Sequence, residues 1–361
     1  MKIAVYTIAL NEEQFVKRWF ESAKQSDYLL IADTGSTDLT VKKAKALGIN
    51  VVNIAIKPWR FDDARNAALA ALPGDVDYCI ALDMDEVLID GWREALEGTP
   101  KGITRPRYKY TWSWNPDGSA GLTYGGDKIH SRSGYRWKHP VHETLTPSIE
   151  ESQAWIDLEI HHHPDDTKSR GQYYPLLRQA IQEDPDNDRN TFYYARELYF
   201  NNEFAEATIQ FKRHLSLPKA VWKPERAASM RYLAKMDTEN QESWLLQAIA
   251  ESPISREPRV DLAQYYYSKS KWLSCYATAH SVLEITEQPL EYLIESDCWG
   301  YLPHDLIAIS AYNLGNFKEA LEQGLKALEL APWITRLKDN VDYYKLSATE
   351  EPTEEEPDAN A

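Results

Sequence analysis

The chain has only three cysteines, Cys79, Cys275 and Cys298, with no paired spacing and no metal-binding pattern. A disulfide scaffold and a cysteine–zinc module are excluded, and a reducing compartment is the expected setting. No apolar run is long enough to span a bilayer, and Met1-Lys2 leads straight into a strand-like segment without a secretory leader. A cytoplasmic protein is expected. Basic charge is also short: 40 Lys and Arg face 56 Asp and Glu, a formal net charge of −16. Six of those acids lie in the tail after Leu346, which has no base; without it the charge is −10. This balance weighs against non-specific binding to nucleic acid or anionic membrane, though it allows a local basic groove. No glycine-rich dinucleotide or P-loop fingerprint follows the first strand, so oxidoreductase and NTPase readings lose ground.

What is present starts with Tyr78-Cys79-Ile80-Ala81-Leu82-Asp83-Met84-Asp85-Glu86. Val76, Tyr78, Ile80 and Leu82 share one strand face, and Cys79 and Ala81 the other. A run apolar on both faces predicts a strand buried between two helical layers. The acids follow at its carboxyl edge, where open α/β sheets bind ligands. Asp83 and Asp85, spaced D-x-D, can share one Mg²⁺ or Mn²⁺ whose remaining ligands come from water or phosphate, an arrangement that suits a nucleotide diphosphate. The plain alternative is an acidic loop beside a buried strand.

Around that stretch, strand-like and helical segments alternate. Ile3 to Leu10, Tyr28 to Ala32 and Ile49 to Ile56 read as strands; Phe15 to Ala23, Leu39 to Leu47 and Asp62 to Leu72 read as helices. The pattern predicts a parallel α/β sheet with right-handed crossovers. Thr7, Asn11 and Glu12 after the first strand, Asp33 after the second and Asp83 after the fourth would converge on one edge.

Four segments come in order: Thr7-x-x-x-Asn11-Glu12, Ala32-Asp33-Thr34-Gly35-Ser36-Thr37-Asp38, Asp63-Ala64-Arg65-Asn66 and Leu82-Asp83-Met84-Asp85-Glu86. Together they resemble a family 2 glycosyltransferase of the GT-A fold, in particular the branch related to lipopolysaccharide-core and peptide S-glycosyltransferases, over about the first half of the chain. The resemblance implies a nucleotide-sugar donor, commonly a UDP-sugar, a divalent Mn²⁺ or Mg²⁺ and inversion at the anomeric carbon. Carried over position by position, it implies that Thr7, Asn11 and Glu12 line the nucleoside site and that Asp33 meets the base or ribose. Arg65 and Asp83 would meet the nucleotide, and Asp85 the metal. Helix capping is the structural alternative for Asp33 and Asp38, and a place on the helix surface for Arg65.

Further on, Tyr108, Tyr110, Trp112 and Trp114 alternate with Lys109, Thr111 and Ser113, a strand with one aromatic face. Such a face suits sugar rings or packing against a neighbouring element. Gly125-Gly126-Asp127-Lys128 opens a basic segment that leads to Trp137 and to Val141-His142-Glu143-Thr144-Leu145. In the related branch a similar segment lies beside the sugar. Inverting transfer needs a base for the acceptor's proton; Glu143 is the first choice, His142 the second and Asp127 the third. Each has an ion pair with a nearby arginine as its structural alternative. In Ile160-His161-His162-His163-Pro164, strand alternation puts His161 and His163 on one face and His162 on the other. The resemblance implies a histidine metal ligand after the core. Its register picks His162, with His161 and His163 one residue away.

From Ser169 onward the period becomes helical. Ala311 to Pro332 is close to a tetratricopeptide repeat, with small residues where helices cross, Gly315 in the turn and Pro332 after the second helix. Pro218, Pro253, Pro289 and Pro332 lie 35, 36 and 43 residues apart, near the expected period. The expected layout is a GT-A domain over 1–165, a TPR-like solenoid over 166–346 and a disordered acidic tail over 347–361. Two functions fit. One is a metal-dependent inverting glycosyltransferase whose solenoid binds the acceptor or a second copy of the chain. The other is a non-catalytic TPR-type adaptor with a degenerate nucleotide-binding domain. Intact Asp83, Asp85 and Glu143 favour the enzyme. The acceptor is left open among peptide or protein, lipid-linked glycan and modified nucleobase.

Overall fold

The computed structural model describes residues 1–165 and 171–349. The alternation read from the sequence gives β1 (Ile3–Ala9), α1 (Val16–Ala23), β2 (Tyr28–Asp33), α2 (Thr40–Ala46), β3 (Asn50–Asn53), α3 (Phe61–Ala70) and β4 (Tyr78–Ala81). After them come β5 (Glu86–Leu88), α4 (Trp92–Glu97), β6 (Arg105–Thr111), β7 (Thr123–Gly126), β8 (Ile129–Ser131), β9 (Tyr135–Lys138), β10 (Thr144–Pro147) and β11 (Gln153–His162). The first sheet has the order β3-β2-β1-β4-β8. Its first four strands are parallel as expected; β8 adds an antiparallel edge that the alternation did not reveal. The chain moves outward from β1 to β3 and then returns to the other side of β1 as β4. A crevice therefore opens at the carboxyl ends of β1 and β4, where such sheets bind ligands.

Strand alternation fixes two cores. Ile3, Val5, Ile31, Ile80 and Leu82 pack with Trp19 and Trp92 on one side. Ala4, Tyr6, Leu30, Ala32, Cys79 and Ala81 pack with Leu69 and Trp137 on the other. A slip of one residue would exchange the two sets, and burying each Ile or Leu is worth about 1.5–3 kcal/mol, so the register is firmly held. Trp19 on α1 donates its indole N–H to the Leu82 carbonyl at 3.0 Å, tying down the backbone just before Asp83.

The second sheet runs β5-β11-β6-β7. Because β5 starts at Glu86, its antiparallel pairing with β11 sets His162 opposite Glu86 and His161 opposite Val87. The aromatic strand is shorter than its pattern suggests: β6 stops at Thr111, with Tyr108 and Tyr110 buried and Trp112 and Trp114 beyond its end. Opposite Tyr108, β7 carries Gly126, where any Cβ would run into the Tyr108 ring.

Helices follow from α5 (Tyr173–Glu183) and α6 (Asp188–Phe200). The chain divides into two compact units, one of residues 1–210 with 290–292, the other from Phe211 to Pro289 and from Leu293 onward. So α5 and α6 belong with the α/β layers. Arg60 reaches Glu183 at 2.9 Å, Phe61 meets Tyr173 edge-on, and His142 stacks on Tyr193 with ring centroids 4.0 Å apart.

α7 (Phe204–Ser216) spans the division. The second unit then holds α8 (Lys223–Met236), α9 (Gln241–Glu251), α10 (Glu257–Ser268), α11 (Trp272–Leu283), α12 (Ser296–Trp299), α13 (Leu302–Asn313), α14 (Phe317–Leu330) and α15 (Thr335–Thr349). It is a TPR-like array in which successive helices pack through small residues: Ala227 and Ala248, Ala263 and Ala279, Ala308, Ala311 and Ala320. Gly324 of α14 lies so close to Tyr344 of α15 that a Cβ there would sit 2.9 Å from the ring. Ser347 to Thr349 complete α15, three residues into the segment expected as tail; the rest of that segment, 350–361, lies outside the described residues.

Candidate active site

The acids after β4 separate into two roles. Both oxygens of Asp83 are taken by fixed cations: Oδ1 accepts from Arg65 Nη2 at 2.8 Å and Oδ2 from Lys128 Nζ at 2.7 Å. Burial opposes the Asp83 charge, but the two cations outweigh it and hold the carboxyl below its ordinary range. Glu86 is 1% exposed and accepts from Lys128 at 2.6 Å, from the Tyr110 hydroxyl at 2.7 Å and from the Asp83 N–H at 2.8 Å. Burial, with Asp83 and Asp85 nearby, leaves its pKa raised in spite of Lys128. Arg65 also binds Glu143 and lies over the Trp137 ring at 5.0 Å. Burial works against its charge, yet Asp83 and Glu143 keep its pKa well above the ordinary value. The remaining nitrogen, Arg65 Nη1, is buried without a hydrogen-bond partner. An orphaned donor on a buried guanidinium costs free energy unless a ligand oxygen fills it.

Asp85 faces elsewhere. Its Oδ2 lies 3.4 Å from Nε2 of His162, and its carbonyl accepts the His163 N–H at 2.8 Å. The other ring nitrogen, Nδ1 of His162, is 3.0 Å from the Trp112 carbonyl. A carbonyl only accepts, so Nδ1 carries the proton. Nε2 would then present a lone pair to a carboxylate, which is tolerable only with a cation between them, either a second proton or a metal ion. Burial alone would lower the His162 pKa; the Asp85 and Trp112 hydrogen bonds outweigh it and raise it. A histidine held by a carbonyl through one nitrogen and facing a carboxylate with the other is the donor set of a metal ligand. Among the described residues no three His, Cys, Asp or Glu are grouped to hold a metal ion. Asp85 and His162 offer two donors, so an ion held there would need phosphate or water oxygens to complete its sphere.

The histidine run follows its alternation. His162 is 6% exposed, while His161 pairs with Glu159 at 3.0 Å and His163 stacks on Trp114. Trp112 stacks on His162 with centroids 4.2 Å apart, and Trp114 donates its indole N–H to the His162 carbonyl at 2.9 Å. These two indoles thus clamp the histidine segment.

At the β1 and β2 ends, the expected nucleoside residues knit two loops together. Asn11 adopts a left-handed backbone, φ +55°, and its Oδ1 accepts from the Thr37 N–H at 2.8 Å. Asp33, 4% exposed, accepts from the N–H groups of Gly35 and Ser36, both at 3.1 Å. Glu12 is buried, with its N–H on Thr40 Oγ1 at 2.7 Å. Thr7 is 1% exposed and its hydroxyl donates to the Ile8 carbonyl. Asp38 accepts from Thr40 N–H at 2.9 Å from one residue before Leu39, the N-cap of α2, so it braces the entry to the helix without being its cap. Of the base candidates, Glu143 sits on Arg65 within the cluster, and the His142 ring is stacked on Tyr193. Asp127 is half exposed and 3.9 Å from Arg105. Sequence reasoning gave no role to Lys128 or Glu86 and read Tyr110 only as part of an aromatic strand face. Glu86 was in view as the third acid of its run; Lys128 reaches it only through the β4–β8 pairing.

Residues 4–99 match the family model described as Glycosyl transferase family 2. The first unit carries a family 2 glycosyltransferase domain. Among solved structures, glucosyl-3-phosphoglycerate synthase from Mycobacterium tuberculosis, in complex with Mn²⁺, UDP-glucose and phosphoglyceric acid, is 28% identical to this chain. That match covers 30% of this chain and 44% of that one, with a TM-score of 0.26. A TPR protein of Thermus thermophilus is 18% identical over 48% of this chain and 89% of that one, with a TM-score of 0.34. Pseudomonas aeruginosa pilF is 14% identical over 48% and 72%, with a TM-score of 0.37. No curated protein matches the chain. Among the described residues, no helix is long and apolar enough to cross a membrane.

Proposed function

We propose that the chain is a metal-dependent inverting glycosyltransferase that moves a sugar from a nucleotide-sugar, a UDP-sugar by preference, to a peptide or glycan acceptor in the cytoplasm. The carrying observation is the opposition of Asp85 and His162 across 3.4 Å with the Trp112 carbonyl behind the ring. The bound ion would supply charge neutralisation for the leaving diphosphate. Arg65, with its spare Nη1, offers the same diphosphate a fixed positive charge, and Asn11 and Asp33 shape the nucleoside edge. In the transfer, the acceptor oxygen bonds to the anomeric carbon as the bond to the diphosphate oxygen breaks. The acceptor's proton passes to Glu143, which Arg65 orients, with His142 as the second choice. The TPR-like helices would serve acceptor recognition. Three buried free thiols accord with a reducing compartment.

The test is thermal unfolding with UDP and Mn²⁺, separately and together. Ligand at a hundred times its Kd stabilises the native state by about 2.7 kcal/mol, so the midpoint should rise with both present and the rise should vanish in Asp85→Asn. No shift with any nucleotide and metal would leave the adaptor reading in place.

A further inference from the structure

Lys128 stands where the acidic segment folds back on itself. Its ammonium touches Asp83 Oδ2 at 2.7 Å and Glu86 Oε1 at 2.6 Å, and it lies 5.7 Å from the centre of the Tyr110 ring. Glu86 cannot turn away, because Tyr110 and the Asp83 N–H hold its two oxygens. Asp83 cannot turn away either, because Arg65 holds Oδ1. Two carboxylates thus converge on one point. Oxygens converging in this way are what a Mg²⁺ or Mn²⁺ ion selects. The point is filled by a cation that belongs to the chain.

Charge counting leads to the same place. Asp83, Asp85, Glu86 and Glu143 face Arg65 and Lys128, with Arg18 of α1 acting on Asp85, and the acids still exceed the permanent cations. A bound cation would offset that excess. Without Lys128, Asp83 would keep Arg65, while Glu86 would be left with neutral donors, the Tyr110 hydroxyl and the Asp83 N–H.

We infer that Lys128 is a built-in cation that keeps divalent metal off Asp83 and Glu86 and confines it to Asp85 and His162. Lys128 is in this sense a positioning residue: it holds Asp83 turned to Arg65 and leaves the second aspartate of the D-x-D to the metal. The inference deepens the metal-dependent reading above and rests on it.

The experiment is a Mn²⁺ titration of the full chain with UDP present, followed by the electron paramagnetic resonance signal of free Mn²⁺. Wild type should bind one ion. Lys128→Met, similar in volume and uncharged, should bind a second ion or bind the first at least ~10-fold more tightly, because a full positive charge has left the site. Lys128→Arg should behave as wild type. A lysine that only supported the fold would leave metal affinity unchanged or weaken it on removal. Should the Met variant not fold, Lys128→Gln keeps N–H donors for both carboxylates without the charge and is expected to give the same gain. No gain in affinity or stoichiometry in the uncharged variant overturns the inference. If wild type binds through Asp85, as judged by Asp85→Asn, and the uncharged variant gains nothing, the inference falls and the metal-dependent reading stands. If wild type binds no Mn²⁺ and the uncharged variant does, Lys128 excludes metal from Asp83 and Glu86, but the confinement of metal to Asp85 and His162 is overturned together with the metal-dependent reading.

Discussion

Both units bury charged side chains, but they finish them differently. In the helical unit, Arg231 meets Asp261 through two hydrogen bonds, at 2.6 and 3.1 Å, and Glu295 at 2.8 Å. Asp305 takes both terminal nitrogens of Arg336, at 3.0 and 2.7 Å. Glu257 accepts from the Trp299 indole at 2.9 Å and from the Glu295 N–H. These sets are small and local, and they join neighbouring helices. At the sheet edge of the first unit, Arg65, Lys128, Asp83, Glu86 and Glu143 form one connected set with an acidic excess, an orphaned guanidinium nitrogen and Asp85 turned out of it toward His162. Closed sets stabilise a fold; a set left open in both charge and hydrogen bonding is completed by a ligand.

The contrast breaks most sharply at Glu143. Glu143→Gln should cut sugar transfer by about 10² to 10⁴, the usual range for loss of a general base. Its effect on stability should be under ~1 kcal/mol, since Arg65 keeps Asp83 as a partner and the site loses a charge it has in excess. Transfer rates and urea unfolding, measured on the same preparation, check both halves. Wild-type transfer in the glutamine variant would make Glu143 structural and move the base to His142.

Much of this was legible in the chain, for physical reasons that also explain what was not. β4 could be read because residues apolar on both faces fit only a strand between two layers, and the acids had to follow it. His162 could be read as the odd member of its run because strand side chains alternate. What escaped was pairing at long range. Lys128 meets Asp83 because β8 runs antiparallel to β4, a contact no local pattern announces. Trp112 and Trp114 were balanced between sugar and packing; their stacking on His162 and His163 needed the β6–β11 register. The helical period of α5 and α6 pointed to the solenoid, yet Glu183, Tyr173 and Tyr193 bind them to the α/β layers. Periodicity reports which face of a helix is buried and is silent about what buries it.

In the helical unit the matching substitution is Asp261→Asn. It removes one acid from a closed set and leaves the buried Arg231 with Glu295, which is half exposed. Breaking a buried pair in this way costs about 3–5 kcal/mol. The expected result is a lower urea midpoint with unchanged affinity for UDP and Mn²⁺. An equal loss of nucleotide affinity would contradict the division into a structural set and a site.

The smallest effect sharpens the comparison from behind the site. His130 in β8 is fully buried, and its Nδ1–H donates to the Ser131 carbonyl at 2.8 Å while Nε2 accepts from the Tyr6 hydroxyl at 3.1 Å. Tyr6 in turn accepts the Trp137 indole N–H at 2.9 Å, and Trp137 underlies Arg65. This chain of neutral groups is closed, unlike the cluster it supports. Burial, with Arg105 and Arg132 nearby, pushes the His130 pKa down from 6.5 to about 4, against the pull of the Ser131 carbonyl. A folded pKa below the unfolded one means that the unfolded chain takes up the proton first as pH falls. The contribution of His130 is therefore full above 6.5, declines between 6.5 and about 4, and is gone below. Between pH 7 and 4.5 this amounts to roughly 2–3 kcal/mol. His130→Gln can still accept from Tyr6 but has no proton to gain, so its unfolding free energy should fall less over that range by about the same amount. Urea titrations of both proteins at the two pH values measure the difference; parallel acid losses would show that His130 is not the group that titrates.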